Sequence, residues 1–474
     1  MFFSHTSKIQ SDNSAAAQGT PGMDKKELLQ EILKKKITLI DYENIRDNLS
    51  RRYLGFGRFA GIVGCYNSLN LYLEILGQSP LPRAYELKSY EKLKGSYDNI
   101  NVFVQPSTKR CFQNEEYAKA GAIIIEDLSQ CHLILGVKEI DTDILIENQS
   151  YLFFSHTSKI QSDNSAAAQG TPGMDKKELL KKILDKKITL IDYENIRNQN
   201  GTRYLGFGRF AGIVGCYNSL GLYEDFVNHS KLPRAYELND YDLLKNQIQN
   251  KKFSKMKILV TGDGRVARGV LELLQYTNIL QITKEDFLHT DFDEPVFCNL
   301  ETADYVSSDI EDQFNLQHFI QEPQTYISVA EKYLENTNLL ISAHYWDPLS
   351  PKIFKMINLH KFFQLKVIGD ITCDINGSIP TTLKSTSIEN PYFYFDKKNF
   401  SECSKSIKAL AIMSVDNLPS ELPRDSSEEF SDGILKEVLP YIIKKDDQRI
   451  FNATITQNGN FLSKYLYLKN YIAT

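Results

Sequence analysis

The stretch Lys257-Ile258-Leu259-Val260-Thr261-Gly262-Asp263-Gly264-Arg265-Val266-Ala267-Arg268-Gly269-Val270-Leu271 decides the fold. A β-favouring apolar run enters two glycines, and an amphipathic stretch from Val266 to Leu274 follows with helical spacing. Strand, tight turn and helix in that order open a dinucleotide-binding fold. Gly262 allows the turn, Gly264 lets the backbone approach a pyrophosphate, and Ala267 is small enough for close helix–strand packing. The N–H groups at the helix start then face the phosphate charge. Any α/β protein can place glycines in such a turn, so it is the position directly after a β-run that ties this one to a dinucleotide.

Downstream, Ile279 to Lys284 reads as the second strand of the same domain. Its end carries Lys284, followed by Glu285 and Asp286. A cation there suits the 2′-phosphate of NADP, whereas an acid suits the free ribose hydroxyl of NAD. The sequence therefore favours NADP, with NAD possible, and a solvated helix start is the plain alternative for Lys284. Further β-like runs stand at Pro295–Cys298, Leu339–Ala343, Leu365–Asp370, Pro391–Tyr394 and Ala409–Met413. Such β–α alternation predicts an α/β protein of doubly wound parallel sheets. Upstream, Ala122–Asp127, Leu133–Glu139 and Tyr151–Phe154 are short apolar runs of the same kind, followed by a helix over Met174–Leu184 and a strand at Ile188–Ile191. Two Rossmann-like domains with a cleft between them follow: a substrate domain over 95–210, completed by about 376–474, and a dinucleotide domain over 211–375. Phe210–Phe226 reads as a helix connecting the two, Lys245–Lys257 as a polar linker, 418–430 as a loop and Ser431–Lys445 as a helix.

A chain of 474 residues is long enough for two or three cores. With 42% hydrophobic and 24% charged residues and a net charge of −5, its composition is that of a globular protein, with no electrostatic case for nucleic acid or an anionic membrane. No apolar run approaches the roughly 20 residues of a membrane span. The N-terminus shows neither a signal-peptide nor a transit-peptide pattern, and the seven cysteines are scattered without CxxC spacing. Buried thiols in a reducing compartment are expected, with no metal site; the cytoplasm is the expected location, the mitochondrion the alternative.

Phe2 to Lys94 matches Phe153 to Lys245 without a gap, roughly three-quarters identical. The second copy begins in the middle of a predicted sheet, whereas the first has no partner strands before it. Residues 1–94 therefore read as a partial duplicate, either docked on the main body or poorly packed; a fault in the gene assembly explains the pattern equally well.

Several motifs, in order, carry a resemblance. Leu135-Gly136-Val137-Lys138-Glu139 precedes Phe153-Phe154-Ser155-His156-Thr157-Ser158-Lys159; after the glycine stretch come Ala343-His344-Tyr345-Trp346-Asp347-Pro348, Gly369-Asp370-Ile371-Thr372-Cys373-Asp374, and Val415 to Arg424. Over about residues 98–445 the chain resembles the lysine-forming saccharopine dehydrogenases (lysine–ketoglutarate reductases) of the alanine dehydrogenase/pyridine nucleotide transhydrogenase superfamily. Tyr345-Trp346-Asp347 favours the reductase half of alpha-aminoadipic semialdehyde synthase over the fungal biosynthetic type. The resemblance implies that L-lysine and 2-oxoglutarate condense to an imine, which a reduced nicotinamide converts to saccharopine. It places the acid–base groups on Lys138 and His156, substrate contacts on Gln161, Arg203 and Phe207, and cofactor contacts on Arg265, Val266 and Asp370. Proton transfer at nitrogen and at a departing oxygen suits groups titrating near neutrality, and Arg203 suits a bidentate hold on a dicarboxylate. Read without the family, Lys138 is a strand-end surface lysine, His156 a satisfied buried histidine and Arg203 a solvated turn arginine. One motif departs from the pattern: the arginine-containing segment that precedes the family's Val102-to-Ser107-like strand has no counterpart, which weakens the substrate-carboxylate site. An impaired homologue that binds dinucleotide or serves as an interaction module, and an alanine-dehydrogenase-like enzyme, are the alternative readings. Bifunctional relatives carry a saccharopine-cleaving domain, so a separate enzyme of that activity is a candidate partner.

Overall fold

Two mostly parallel sheets with antiparallel edge strands organise the chain in the computed structural model, which describes residues 100–158, 175–199, 201–308, 314–443 and 448–473. All of these fall in one unit, Tyr97–Thr474. The N-terminal copy over 1–94 lies outside the described residues, as does Gln161.

The first sheet begins after a short parallel pair, β1 (Phe103–Val104) and β2 (Ile123–Ile124). Strands β3 (Ile134–Leu135), β4 (Ser150–Phe153) and β5 (Thr189–Asp192) run parallel and side by side. Alternation along β4 sends Tyr151 and Phe153 into one core and Leu152 and Phe154 into another, so both faces of this sheet are covered. Helix α1 (Lys176–Asp185) starts where the Asp175 side chain accepts from the Lys177 N–H and buries Leu179, Leu180 and Ile183.

Helix α2 (Gly208–Val227) leads from the first sheet toward the second and is buried along most of its length. The polar linker expected over Lys245–Lys257 begins as helix, up to Asn250, and is irregular only from Lys251 to Met256. Asp240 caps the Leu243 N–H at 2.8 Å, and α3 (Tyr241–Asn250) buries Tyr241, Leu244 and Ile248 at helical spacing. That local cap and apolar stripe outweigh the lysines and asparagines on the exposed face.

The second sheet has eight strands centred on β6 (Lys257–Thr261). Helix α4 (Arg265–Leu274) follows the glycine turn. The short edge strand β7 (Leu280–Gln281) and then β8 (Val296–Leu300) lie on one side of β6, all parallel. An antiparallel pair, β9 (Val306–Ser308) and β10 (Tyr326–Ser328), stands apart from it. On the other side of β6 come β11 (Leu339–Ser342) and β12 (Val367–Asp370). Ile258 and Val260 face one core and Leu259 faces the other, as expected of a sheet with cover on both faces.

The expected return of the chain to the substrate domain at about 376 is corrected here. Strands β13 (Tyr392–Asp396), β14 (Ser401–Cys403) and β15 (Leu410–Met413) extend the dinucleotide sheet, because the wholly buried β15 pairs in parallel with β12. The crossing comes later, at Pro423. There α5 (Pro423–Glu437) replaces most of the expected 418–430 loop, proline being compatible with the first turn of a helix. Beyond it β16 (Thr454–Gln457) joins β5 antiparallel and β17 (Asn460–Phe461) closes the edge.

Helices α2 and α4 cross in backbone contact. A Cβ on Gly212 would stand 2.0 Å from the Val266 carbonyl oxygen, and one on Gly269 would stand 2.1 Å from that of Arg209. Glycine at both positions is what lets the domain-linking helix lie against the helix that carries the glycine turn.

Candidate active site

The glycine turn is built for a charged ligand. Gly262 has φ +115°, and a Cβ there would meet the Ala343 carbonyl oxygen at 2.6 Å, so the strand β6 can turn only with glycine. Gly264 is the N-cap of α4 without a side-chain cap, and a Cβ on it would meet nothing within 4 Å. Open space thus lies over a ten-residue helix whose first N–H groups have no partner within the helix. Ala267 is fully buried, as close packing requires. These residues fit the pyrophosphate of a dinucleotide, and Arg265 and Val266 provide helix-start N–H groups. The Arg265 side chain points elsewhere: its Nη2 donates to the Arg203 carbonyl at 2.6 Å and to that of Tyr204 at 3.4 Å.

Thr261, Ser342 and Asp370 stand in register at the carboxyl ends of β6, β11 and β12, the edge where open α/β sheets take ligands. Thr261 Oγ1 lies 2.7 Å from His344 Nδ1. Burial lowers the His344 pKa to about 4, so this imidazole is neutral. Asp370 is wholly buried, and burial raises its pKa; it accepts from the hydroxyls of Thr372 and Thr382, each at 2.6 Å. Its carboxylate therefore organises the loop after β12. Lys284 opens a short helix and is paired with Asp304, whose hydrogen bond raises the lysine pKa.

In the first sheet, His156 lies just beyond β4 with φ +54°, a left-handed conformation that strains a non-glycine residue. Its Nδ1 is 2.8 Å from Glu139 Oε1, and the ring is 31% exposed while Glu139 is 1% exposed. Glu139 also pairs with Lys176, itself 1% exposed. A carboxylate held by an ammonium is an acceptor only, so Nδ1–H donates and Nε2 is left to exchange protons with a ligand. Beneath the ring, Asp192 accepts from Ser155 Oγ and from the Glu194 N–H. Burial, then the nearby Glu194 charge, push the Asp192 pKa up to about 6.

Lys138 is exposed and near enough to Cys373 for its charge to act on that thiol, whose pKa burial pushes up to about 12. Cys373 also has a left-handed backbone, φ +47°. Arg203 Nη2 pairs with buried Glu194 at 3.0 Å while the arginine stays 34% exposed. Its charge acts on Tyr345 from the loop after β11. Phe207 is the N-cap residue of α2, stacked on Phe430 of α5 at 4.6 Å. The structure thus brings Lys138 and Arg203 close to the loops that follow β12 and β11 of the other sheet, and joins His156 to Glu139, the neighbour of Lys138 in the chain. Sequence reasoning passed over Lys176 and Asp192; a lysine at the first position of a helix was the only local sign of the former.

Among the described residues no group of His, Cys, Asp and Glu is arranged to hold a metal, and no helix is long and apolar enough to cross a membrane.

Comparison with known proteins adds to this geometry. Residues 89–214 match the model of the alanine dehydrogenase/PNT N-terminal domain. The chain is 26% identical over 421 residues to the mitochondrial alpha-aminoadipic semialdehyde synthase of Bos taurus, covering 78% of this chain and 44% of that protein. Against the Arabidopsis thaliana alpha-aminoadipic semialdehyde synthase the identity is 29% over 412 residues, 77% of this chain and 38% of the relative. Against the Emericella nidulans saccharopine dehydrogenase [NAD(+), L-lysine-forming] it is 25% over 362 residues, 71% and 83% of the two chains. The chain spans less than half the length of the two synthases.

Proposed function

We propose that this chain, a saccharopine dehydrogenase-type member of the alanine dehydrogenase/transhydrogenase superfamily, condenses L-lysine with 2-oxoglutarate and reduces the imine to saccharopine. The observation that carries the reading is His156 oriented by Glu139 beside exposed Lys138, a lysine near enough to Cys373 in the loop after β12 for its charge to act there. A bound reduced nicotinamide dinucleotide would supply the hydride, held by Gly262, Gly264 and the start of α4. NADP is the proposed form, on the strength of Lys284, with NAD as the alternative.

Each protein group then has a task. Arg203, together with Gln161, holds a substrate carboxylate, and the Arg203 pairing with Glu194 fixes the guanidinium in place. Phe207 walls the site from solvent. His156 Nε2 takes a proton from the attacking amine while Lys138 protonates the ketone oxygen, giving a carbinolamine; the protonated His156 then returns its proton to that hydroxyl, which leaves as water and gives a protonated imine. Amine, ketone and one proton from Lys138 give the protonated imine and one water, and the hydride then yields the neutral secondary amine, so His156 ends as it began and Lys138 regains one proton from solvent in each turnover. Both the cytoplasm and the mitochondrion stay open as the proposed location, the bovine relative being named as mitochondrial. A separate saccharopine-cleaving enzyme is the proposed metabolic partner.

The test is oxidation of reduced nicotinamide by the full chain. Turnover is expected only with lysine and 2-oxoglutarate together, and Lys138→Met is expected to lower it by about 10²–10⁴-fold with cofactor affinity kept. Turnover with pyruvate and ammonia alone, or dinucleotide binding with no turnover for any amine and keto acid, would defeat the proposal.

A further inference from the structure

The chemistry just described uses Lys138 and His156 and leaves a second lysine without a role. Lys176 is the first residue of α1, and its side chain is 1% exposed. Burying an ammonium is costly, and the positive end of a helix dipole disfavours a cation at this position. Nor does the helix start depend on it, since the cap is the Asp175 carboxylate on the Lys177 N–H at 2.8 Å. The Lys176 ammonium lies on Glu139 Oε1, the same oxygen that accepts from His156 Nδ1 at 2.8 Å. One carboxylate oxygen thus serves a buried lysine and the proposed acid–base histidine together.

We propose that Lys176 is a positioning residue that sets the basicity of His156 through Glu139. This rests on the proposed acid–base role of His156. Glu139 alone would orient the ring but also favour its charged form, because an adjacent carboxylate stabilises an imidazolium. Lys176 offsets part of that charge and leaves the orientation in place. Among the described residues, Asp192 from the end of β5 also acts on the ring by its charge, and it is held by Ser155 Oγ and the Glu194 N–H. Phe154 stacks beside the ring at 6.2 Å and carries no charge, and Lys138 adjoins Glu139 in the chain. None of these contacts among the described residues passes through Lys176, so its replacement removes one charge and leaves them in place.

The experiment is an NMR titration of the His156 ring in the ligand-free full chain, its signal identified by loss in His156→Gln. Lys176→Met is expected to raise the titration midpoint of His156 by about one pH unit relative to the parent, and Lys176→Arg to leave it in place. In turnover, the acid limb of the kcat/KM profile for saccharopine oxidation should move up with it. A midpoint unmoved in folded Lys176→Met overturns the proposal; a lysine needed only for packing would change stability and rate without moving the titration. Should Lys176→Met fail to fold, Lys176→Gln keeps a donor against Glu139 and is expected to raise the midpoint as well, and an unmoved value there is equally fatal. Because the titration needs no turnover, a shifted midpoint in a chain inactive on lysine and 2-oxoglutarate would sink the proposed function alone. An unmoved midpoint in an active chain would sink this inference alone.

Discussion

Gly212→Ala is the sharpest probe of how the fold positions the cofactor edge. Its Cβ would stand 2.0 Å from the Val266 carbonyl oxygen, 2.9 Å from the Val270 nitrogen and 3.0 Å from the Gly269 Cα. All three are backbone atoms, so no side chain can swing aside; α2 and α4 must separate by at least about 1 Å. Overpacking of this kind destabilises by about 1–3 kcal/mol, offset by at most about 1 kcal/mol from the better helix propensity of alanine. Val266 sits in the first turn of α4, so the same separation shifts the N–H groups over Gly264 and should weaken dinucleotide binding about tenfold or more, the equivalent of about 1.4 kcal/mol. Gly221→Ala on the same helix is the control, its Cβ meeting nothing closer than Leu232 Cβ at 3.8 Å, and should be neutral or slightly stabilising. Urea denaturation with dinucleotide titration by calorimetry reads both effects. Gly212→Ala matching the control in stability and affinity would refute the reasoning.

Two further outcomes are expected. His344 is buried neutral, with its pKa lowered to about 4 by burial. A base whose pKa is depressed on folding contributes stability that is full above its unfolded value of about 6.5 and is lost as pH falls toward 4. At about 1.36 kcal/mol per unit, the loss reaches about 2 kcal/mol at pH 5. His344→Gln should therefore lose less stability than the parent between pH 7 and pH 5 in denaturant titrations; equal losses would place the acid lability elsewhere. Lys284→Ala should weaken NADPH binding by about tenfold, or about 1.4 kcal/mol, and leave NADH nearly unchanged. An unaltered ratio of the two dissociation constants would remove Lys284 from cofactor selection and leave it as the partner of Asp304.

The legible parts of the sequence were those whose physics is local. The glycine stretch needs only its own backbone to specify strand, turn and helix, and it forms as read, from Lys257 to Leu274. Which sheet a strand joins is not local. Leu410–Met413 is an apolar run like any other, and only its pairing with Val367–Gly369 assigns it to the dinucleotide unit. Proline 423 misled for a related reason, since the same residue ends a helix from within and begins one from its first turn. The site shows the same divide. His156 and Lys138 stand in recognisable motifs, whereas Lys176 sits in a Lys-Lys-Glu run that reads as solvated. It meets Glu139, 37 residues earlier in the chain, only once α1 folds against the loop after β3. Arg265 was legible as a helix start but not in its side chain. That side chain follows Gly206, at φ +153°, where a Cβ would stand 3.2 Å from Arg265 Nη1.

That last contact explains why the two halves of the site come as one arrangement. Arg265 stands at the start of the helix under the phosphate turn, and its guanidinium holds the carbonyls of Arg203 and Tyr204. The Arg203 side chain reaches Glu194, and the Glu194 N–H binds Asp192. Asp192 in turn accepts from Ser155, the residue before His156. A continuous run of charge-assisted bonds therefore leads from the glycine turn, the proposed pyrophosphate site, to His156, the proposed acid–base histidine. Each member is buried or half-buried, where such bonds are less screened than at a surface and a broken one leaves a desolvated charge behind. Displacing the start of α4 thus strains the anchor of Arg203 as well as the phosphate site. The cofactor and substrate loops, which lie 62 residues apart in the chain, cannot be repositioned independently.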